Sequence, residues 1–247
     1  MKKLLIAVFL CIPVLLFAQD KEEKKYTMYE TIYLKPDGEN AAKLIENLKA
    51  HNKKYHNKAP YSAYVFNVAN GPNAGQMIWM MGPLTFADLD NRPSKDGHDD
   101  DWMKNVVPYL AGTGTVEYWK RDDDLSNIVG EPRPMAYNRF WKVDRDNGFL
   151  VDGLLKQISA TIKAMEGENP WGVWDNMFRQ GDMGRHIVTS SGMNNWAEMD
   201  DDQNFKETFI KVHGENSWMT FVQSMDIAFE DSFDEIWVIQ PELSGTD

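Results

Sequence analysis

The stretch YSAYVFNVANGPNAGQMIWMMG, residues 61 to 82, decides the fold because the chain uses its pattern twice. Residues 171 to 192, 110 positions later, read WGVWDNMFRQGDMGRHIVTSSG. Few letters agree, yet Gly71 and Gly82 fall on Gly181 and Gly192, and Tyr61 and Tyr64 fall on Trp171 and Trp174, without a gap. Each copy reads as two strands joined by a glycine-bounded loop, GPNAG or GDMG.

The correspondence continues outward. Phe86-Ala87-Asp88-Leu89-Asp90 matches Trp196-Ala197-Glu198-Met199-Asp200 at the same offset. Trp102, Met103 and Val106 match Trp218, Met219 and Val222 at an offset of 116, and Glu117 and Trp119 match Glu235 and Trp237 at 118. Upstream, YETIYLKPDGEN from Tyr29 resembles YNRFWKVDRDNG from Tyr137. Ordered aromatic and glycine positions over about a hundred residues indicate a duplication, and two copies suit a pseudo-dimer rather than a solenoid.

Both copies predict the same elements. Residues 28 to 35 and 135 to 143 are rich in aromatic and β-branched side chains and read as strands. A turn with Asn, Asp and Gly follows, then a helix whose apolar residues recur at three- and four-residue steps: Ala41, Leu44, Ile45 and Leu48 in the first copy, Leu150, Val151, Leu154, Ile158, Ile162 and Met165 in the second. The hairpin, a second helical region and a last strand, GTVEYWKR or FDEIWVIQ, complete βαββαβ twice. Such a unit is a ferredoxin-like sheet with helices on one face, and a second copy can cover the other. The expected organisation is a first repeat at 26–121, a charged and then Gly/Pro-rich linker at 122–134, and a second repeat at 135–240.

Tandem βαββαβ halves of this size resemble the dimeric α+β barrel superfamily, which includes antibiotic-biosynthesis-monooxygenase-like and haem-degrading proteins. The resemblance implies an α+β fold of two ferredoxin-like repeats fused into a pseudo-two-fold barrel, with a pocket between sheet and helices in each half. In haem-degrading members it implies a helical Trp followed about three turns later by a haem-ligating His. Here Trp196 is followed by NFKETFIKVHGE, which puts Phe209 near the ligand position and His213 one turn too late, so haem is disfavoured and no cofactor is expected.

MKKLLIAVFLCIPVLLFAQD, with two lysines, an apolar run of about 15 residues and a small residue before Gln19, reads as a signal peptide at 1–18, since about 20 apolar residues are needed to span a bilayer. Cys11, the single cysteine, lies in that run behind bulky Leu10, a poor lipidation context. Cleavage would take away Lys2 and Lys3 and deepen the net charge from −12 by two, to −14. A secreted or periplasmic protein without thiols has no disulfide and no thiolate metal site, and its charge opposes nucleic acid and, once the signal is removed, membrane surfaces. A monomer or weak homo-oligomer is expected.

Other motifs read as bland. The acidic runs at Asp99, Asp122 and Asp200 lack the pattern of a calcium loop and suit solvated loops and helix N-termini. His51 and His56 stand five apart, off the i, i+4 spacing of a helical metal pair, and read as surface residues, as does His98; no metal is expected. Most of the nine tryptophans and fourteen methionines read as core. The informative positions are those where the copies disagree. With a loop at Gly181 to Gly184, Arg179 falls opposite His186, Met177 opposite Val188 and Asp175 opposite Ser190 on one strand face, where the first copy carries bland residues. The expectation is therefore a small-molecule site in the second repeat. His186 or Asp175 would accept a proton, Arg179 and Ser190 would hold polar atoms, and Trp174 and Trp196 would supply apolar wall. The ligand class is small and apolar or aromatic, with cofactor-independent oxygenase- or isomerase-like conversion as the enzymatic version. The alternative is a non-catalytic exported binding or interaction protein.

Overall fold

A computed structural model describes residues 26–246 except Pro93, Lys95, Gln180 and Asp202; the expected signal peptide lies outside the described residues. The chain runs β1 (Met28–Pro36), α1 (Ala41–Tyr55), β2 (Ala63–Val68), β3 (Met77–Leu84), α2 (Phe86–Asp90), α3 (His98–Asn105) and β4 (Leu110–Asn127). It continues through β5 (Met135–Val143), α4 (Val151–Ala164), β6 (Trp171–Asn176), β7 (Ile187–Met193), α5 (Phe205–His213), α6 (Ser217–Ala228) and β8 (Phe229–Ile239), with short 3-10 turns between. The eight strands close into one barrel in the order β1-β3-β2-β8-β5-β7-β6-β4, so no edge is left unpaired. None of the helices among the described residues is long and apolar enough to cross a membrane.

Strand alternation sorts the side chains. Leu34, Val65, Trp79 and Met81 point outward and pack beneath α1, whose buried Leu44, Leu48, His51 and Asn52 form one stripe. Val173 and Ile187 do the same beneath α4 to α6, together with Leu154, Phe209 and Phe221. The opposite faces fill the barrel with Tyr33, Ile78, Trp119, Phe140, Val188 and Trp237.

Charge also lies inside. Glu117 and Glu235 are fully buried, each accepting an indole N–H from the tryptophan two residues on, Trp119 at 3.2 Å and Trp237 at 2.9 Å. Part of the stretch expected to be linker is strand. β4 continues through Asn127, pairing Asp122 with Val173 and Asn127 with Trp171, because Leu125 and Ser126 are buried against the second helical layer and Ser126 Oγ accepts the Val173 N–H.

The opening stretch docks on β8. Ala69 N donates to Ile236 O, and Gly71, at φ +83°, lies so close that a Cβ would sit 2.2 Å from Asp234 O. Gly75, at φ +85°, has open space around it. Gly75→Ala is therefore expected to cost only left-handed strain, about 1 kcal/mol, and Gly71→Ala about 3 kcal/mol or more, since backbone must also move. Urea midpoints of the two variants check the difference.

Candidate metal centre

Three histidines meet beside α1. His51 is on the helix; His56 is its C-terminal cap, turned off the helical path at φ −124°, ψ 36°; His98 opens α3. One ring nitrogen from each lies within 4.8 Å of the others, and His51 and His56 are only 1 % and 2 % exposed. Each Nδ1 has an oxygen partner: Asp101 Oδ2 at 2.7 Å for His51, the Tyr61 carbonyl at 2.9 Å for His56, and Asp99 Oδ1 at 2.7 Å for His98. Carbonyls and carboxylates accept, so every Nδ1 carries the proton and every Nε2 of a neutral ring presents a lone pair inward. His56 Nε2 and His98 Nε2 stand 3.0 Å apart, and the buried His51 Nε2 has no partner among the described residues. Nitrogens that close need either a proton on one of them or a cation between their lone pairs. Oxygen acceptors on the far nitrogens are the usual outer support of metal-bound imidazoles.

The electrostatics agree. Burial lowers the His51 pKa against the opposing pull of Asp101, and burial pushes His56 down to about 3. His51 and His56 are therefore held toward the neutral form, as metal ligands must be. A histidine lowered in the fold leaves the folded state short of a proton that the unfolded chain takes up below about 6.5. Metal-free protein should lose stability as pH falls from 6.5 toward 3. His56→Gln should flatten that slope in urea unfolding across the range.

The chain closes over this corner. Asn52 accepts the Trp79 indole N–H at 2.9 Å and donates to Leu243 O at 2.8 Å, and Gly245 N donates to Ala63 O at 2.8 Å. His56 and His98 open onto a cavity of about 390 Å³ walled by Ile32, Trp79, Trp102 and Met103. Glu30, 2 % exposed, pairs there with Arg92. Burial opposes the Arg92 charge, but Glu30 outweighs it and raises the pKa, while Arg92 Nε stays buried without a partner among the described residues.

This cluster overturns two expectations, that no cofactor or metal is held and that these histidines lie on the surface. Helical spacing did not apply to His56 because it caps the helix, and His98 arrives from 42 residues further on. The acidic run after it does sit at a helix N-terminus, as expected, but Asp99 and Asp101 also hold His98 and His51.

The residues expected to form a site in the second half are not all brought together. In β6 and β7, Trp174 pairs with Val188 and Asp175 with Ile187, three residues from the expected register, so Asp175 and Ser190 point to opposite faces. Trp174 and Ser190 face the barrel interior, where Ser190 donates to Asn138 Oδ1 at 2.6 Å. Burial and neighbouring Asp122 raise the pKa of the Asp175 carboxyl, which lies on the other face. Arg179 is exposed in the loop after β6, and Trp196 is 54 % exposed. His186 Nδ1 accepts the Val143 N–H at 3.0 Å, which removes that nitrogen as a base. His213 bonds Thr161 and the Gln157 carbonyl, and Phe209 is fully buried.

A cavity of about 760 Å³ does lie between sheet and helices in the second half, lined by Tyr137, Arg139, Met165, Trp171, Met193 and Phe205. There Arg139 grips Asp234 through Nε at 2.7 Å and Nη2 at 2.8 Å, and Tyr137, pushed up to about 12 by burial and its bond to Asp234, completes the cluster.

No family model matches this sequence, and no curated protein matches it. Solved structures do match in fold. A candidate monooxygenase from Lactobacillus acidophilus NCFM covers 87 % of this chain and 94 % of its own at 10 % identity and a TM-score of 0.52. An anthrone oxidase-like protein covers 88 % and 92 % at 12 % identity and 0.56. A mutant chlorite dismutase from Candidatus Nitrospira defluvii covers 88 % and 93 % at 10 % identity and 0.55. This chain shares the fold of these proteins.

Proposed function

We propose that this protein holds one divalent transition-metal ion on His51, His56 and His98 and binds a small aromatic molecule bearing an anionic oxygen at the open side of that ion. The observation that carries the reading is the approach of unprotonated ring nitrogens, 3.0 Å between His56 and His98, with every Nδ1 already held by oxygen. Three imidazoles and a free position are the ligand set of an open site for zinc, copper, iron or nickel. One nitrogen from each ring lies within 4.8 Å of the others, a spacing at which the three would together hold a single ion. Such an ion polarises a bound oxygen or lowers the pKa of a bound water. The chain supplies the rest. Trp79, Trp102 and Ile32 give aromatic and apolar wall, Arg92 Nε is a donor in want of an acceptor, and Glu30 holds the guanidinium in place.

The wider reading is an exported protein made of two fused ferredoxin-like repeats, 26–121 and 135–240, joined through 122–134. The repeats are supported by the like order of strands, β4-β1-β3-β2 and β8-β5-β7-β6, and by the matching buried Glu-x-Trp pairs in β4 and β8; export rests on the sequence of residues 1–18 alone.

The test uses cobalt-loaded protein and benzoate as a probe. Benzoate should shift the visible cobalt bands, and Arg92→Lys, which keeps the charge beside Glu30 but loses the planar fork, should weaken benzoate about tenfold with metal content unchanged. A cobalt spectrum indifferent to benzoate at every concentration would count against the ligand half of the reading.

A further inference from the structure

The metal corner is not the only place where the protein offers an unsatisfied group. At one end the barrel is incompletely filled, leaving a cavity of about 360 Å³ walled by Tyr29, Phe66, Met80, Trp119, Trp174 and Trp237. Its cause is local. β1 and β3 send Tyr29 and Met80 into the lumen, while the facing strands β5 and β7 place small side chains, Ala136 and Ser190, among the lining, and Gly172 of β6, the partner of Ser190, has none. Gly172 is required there, since a Cβ would lie 2.6 Å from Nε1 of Trp174.

The walls are apolar in practice as well as in composition. The indole N–H groups of Trp119 and Trp237 are spent on Glu117 and Glu235, so the rings show the cavity only carbon. Arg121 at the rim is spent too, paired with Asp123 at 2.5 Å and lying over Trp174. Among the described residues, one fully buried polar atom of the lining is left over. Thr31 lines the cavity at 2 % exposure, and its Oγ1 has no partner among the described residues. A buried hydroxyl without a partner is unfavourable, so something at this spot is expected to bond it.

We propose that the barrel mouth is a second ligand site, taking a neutral planar aromatic molecule of two or three fused rings with one hydroxyl or carbonyl oxygen directed at Thr31. The volume is within the range of small-molecule pockets, the tryptophan faces suit stacking, and the paired rim charge gives an anion no advantage. The site shares no lining residue with the histidine corner and does not depend on metal.

The probe is 2-naphthol, titrated calorimetrically into full-length protein. Wild type should bind it equally with and without zinc. Thr31→Val keeps shape and removes the hydroxyl, and should weaken binding about fivefold. Ala136→Phe fills the mouth and should abolish it. His51→Ala should leave it unchanged. Near-ultraviolet circular dichroism confirms that each variant is folded, and if Ala136→Phe is not, Thr31→Val and His51→Ala decide. Binding that survives Thr31→Val within twofold, persists in folded Ala136→Phe, or disappears in His51→Ala would overturn the proposal, as would wild type that takes no 2-naphthol up to its solubility.

Discussion

Stripped of metal and titrated with Zn²⁺ or Co²⁺, the protein is expected to bind one equivalent and to melt at a higher temperature, and His56→Ala is expected to lose both effects. The reason lies in what the fold has already arranged. His51 and His56 are buried and neutral, their protons fixed on Nδ1 by Asp101 and the Tyr61 carbonyl, so binding needs little proton release and little reorientation. At a free metal concentration 100 times Kd the folded state gains about 2.7 kcal/mol. Removing one of three ligands should cost more than the 10- to 100-fold typical of losing an outer partner, and Asp101→Asn should show that smaller loss. The two variants together separate a metal site from a structural histidine cluster, because a purely structural Asp101 would alter stability without altering zinc affinity. Equal zinc affinity in wild type, His56→Ala and Asp101→Asn would remove the metal from this corner.

What the sequence made legible follows from which interactions are periodic. The strands and first helices of each half were readable because a barrel strand alternates and a helix over a sheet repeats its apolar face; Leu44 and Leu48 are buried as their spacing required. Ile45, counted with them, is 44 % exposed, because the true stripe continues through His51 and Asn52 instead. The second hairpin defeated the register because its loop is longer than its glycines suggested. A 3-10 turn at Gly181–Met183 leads into Arg185 and His186, which precede β7, so Asp175 comes to lie opposite Ile187 rather than Ser190. The histidine cluster has no period at all. It joins a helix, its cap and a residue beyond the next hairpin, and only the closed fold places them together. The five-residue step from His51 to His56 becomes informative only once the helix is known to end there.

Arg185 was equally hidden, and its loss is expected to be the most damaging single change in the barrel. Gly184, at φ +64° and with Lys142 so close that a Cβ would lie 2.7 Å from it, turns the chain so that Arg185 enters the lumen. There its Nε and Nη2 reach the two Glu117 oxygens at 2.6 and 2.7 Å, its Nη2 also reaches Tyr33 OH at 2.9 Å, and its guanidinium lies 3.9 Å from the Phe140 ring centre. Tyr33 passes the effect on by donating to Glu235 at 2.8 Å, where Asn73 donates at 2.6 Å. One cation thus serves two fully buried carboxylates, one directly and one through a phenol. Arg185→Met keeps much of the volume but leaves Glu117 facing Trp119 and Tyr33 with no positive charge, and breaking such a buried pair typically costs about 3–5 kcal/mol. The charge, not the packing, should account for most of this, so adding Glu117→Gln to Arg185→Met should recover a large part of it, a coupling measurable as a double-mutant cycle in urea. Glu117→Gln alone should also destabilise, because it strands Arg185 against Phe140. Were Arg185→Met within about 1 kcal/mol of wild type, the range of ordinary weak contacts, the lumen network would be an ornament of the fold rather than part of what closes it.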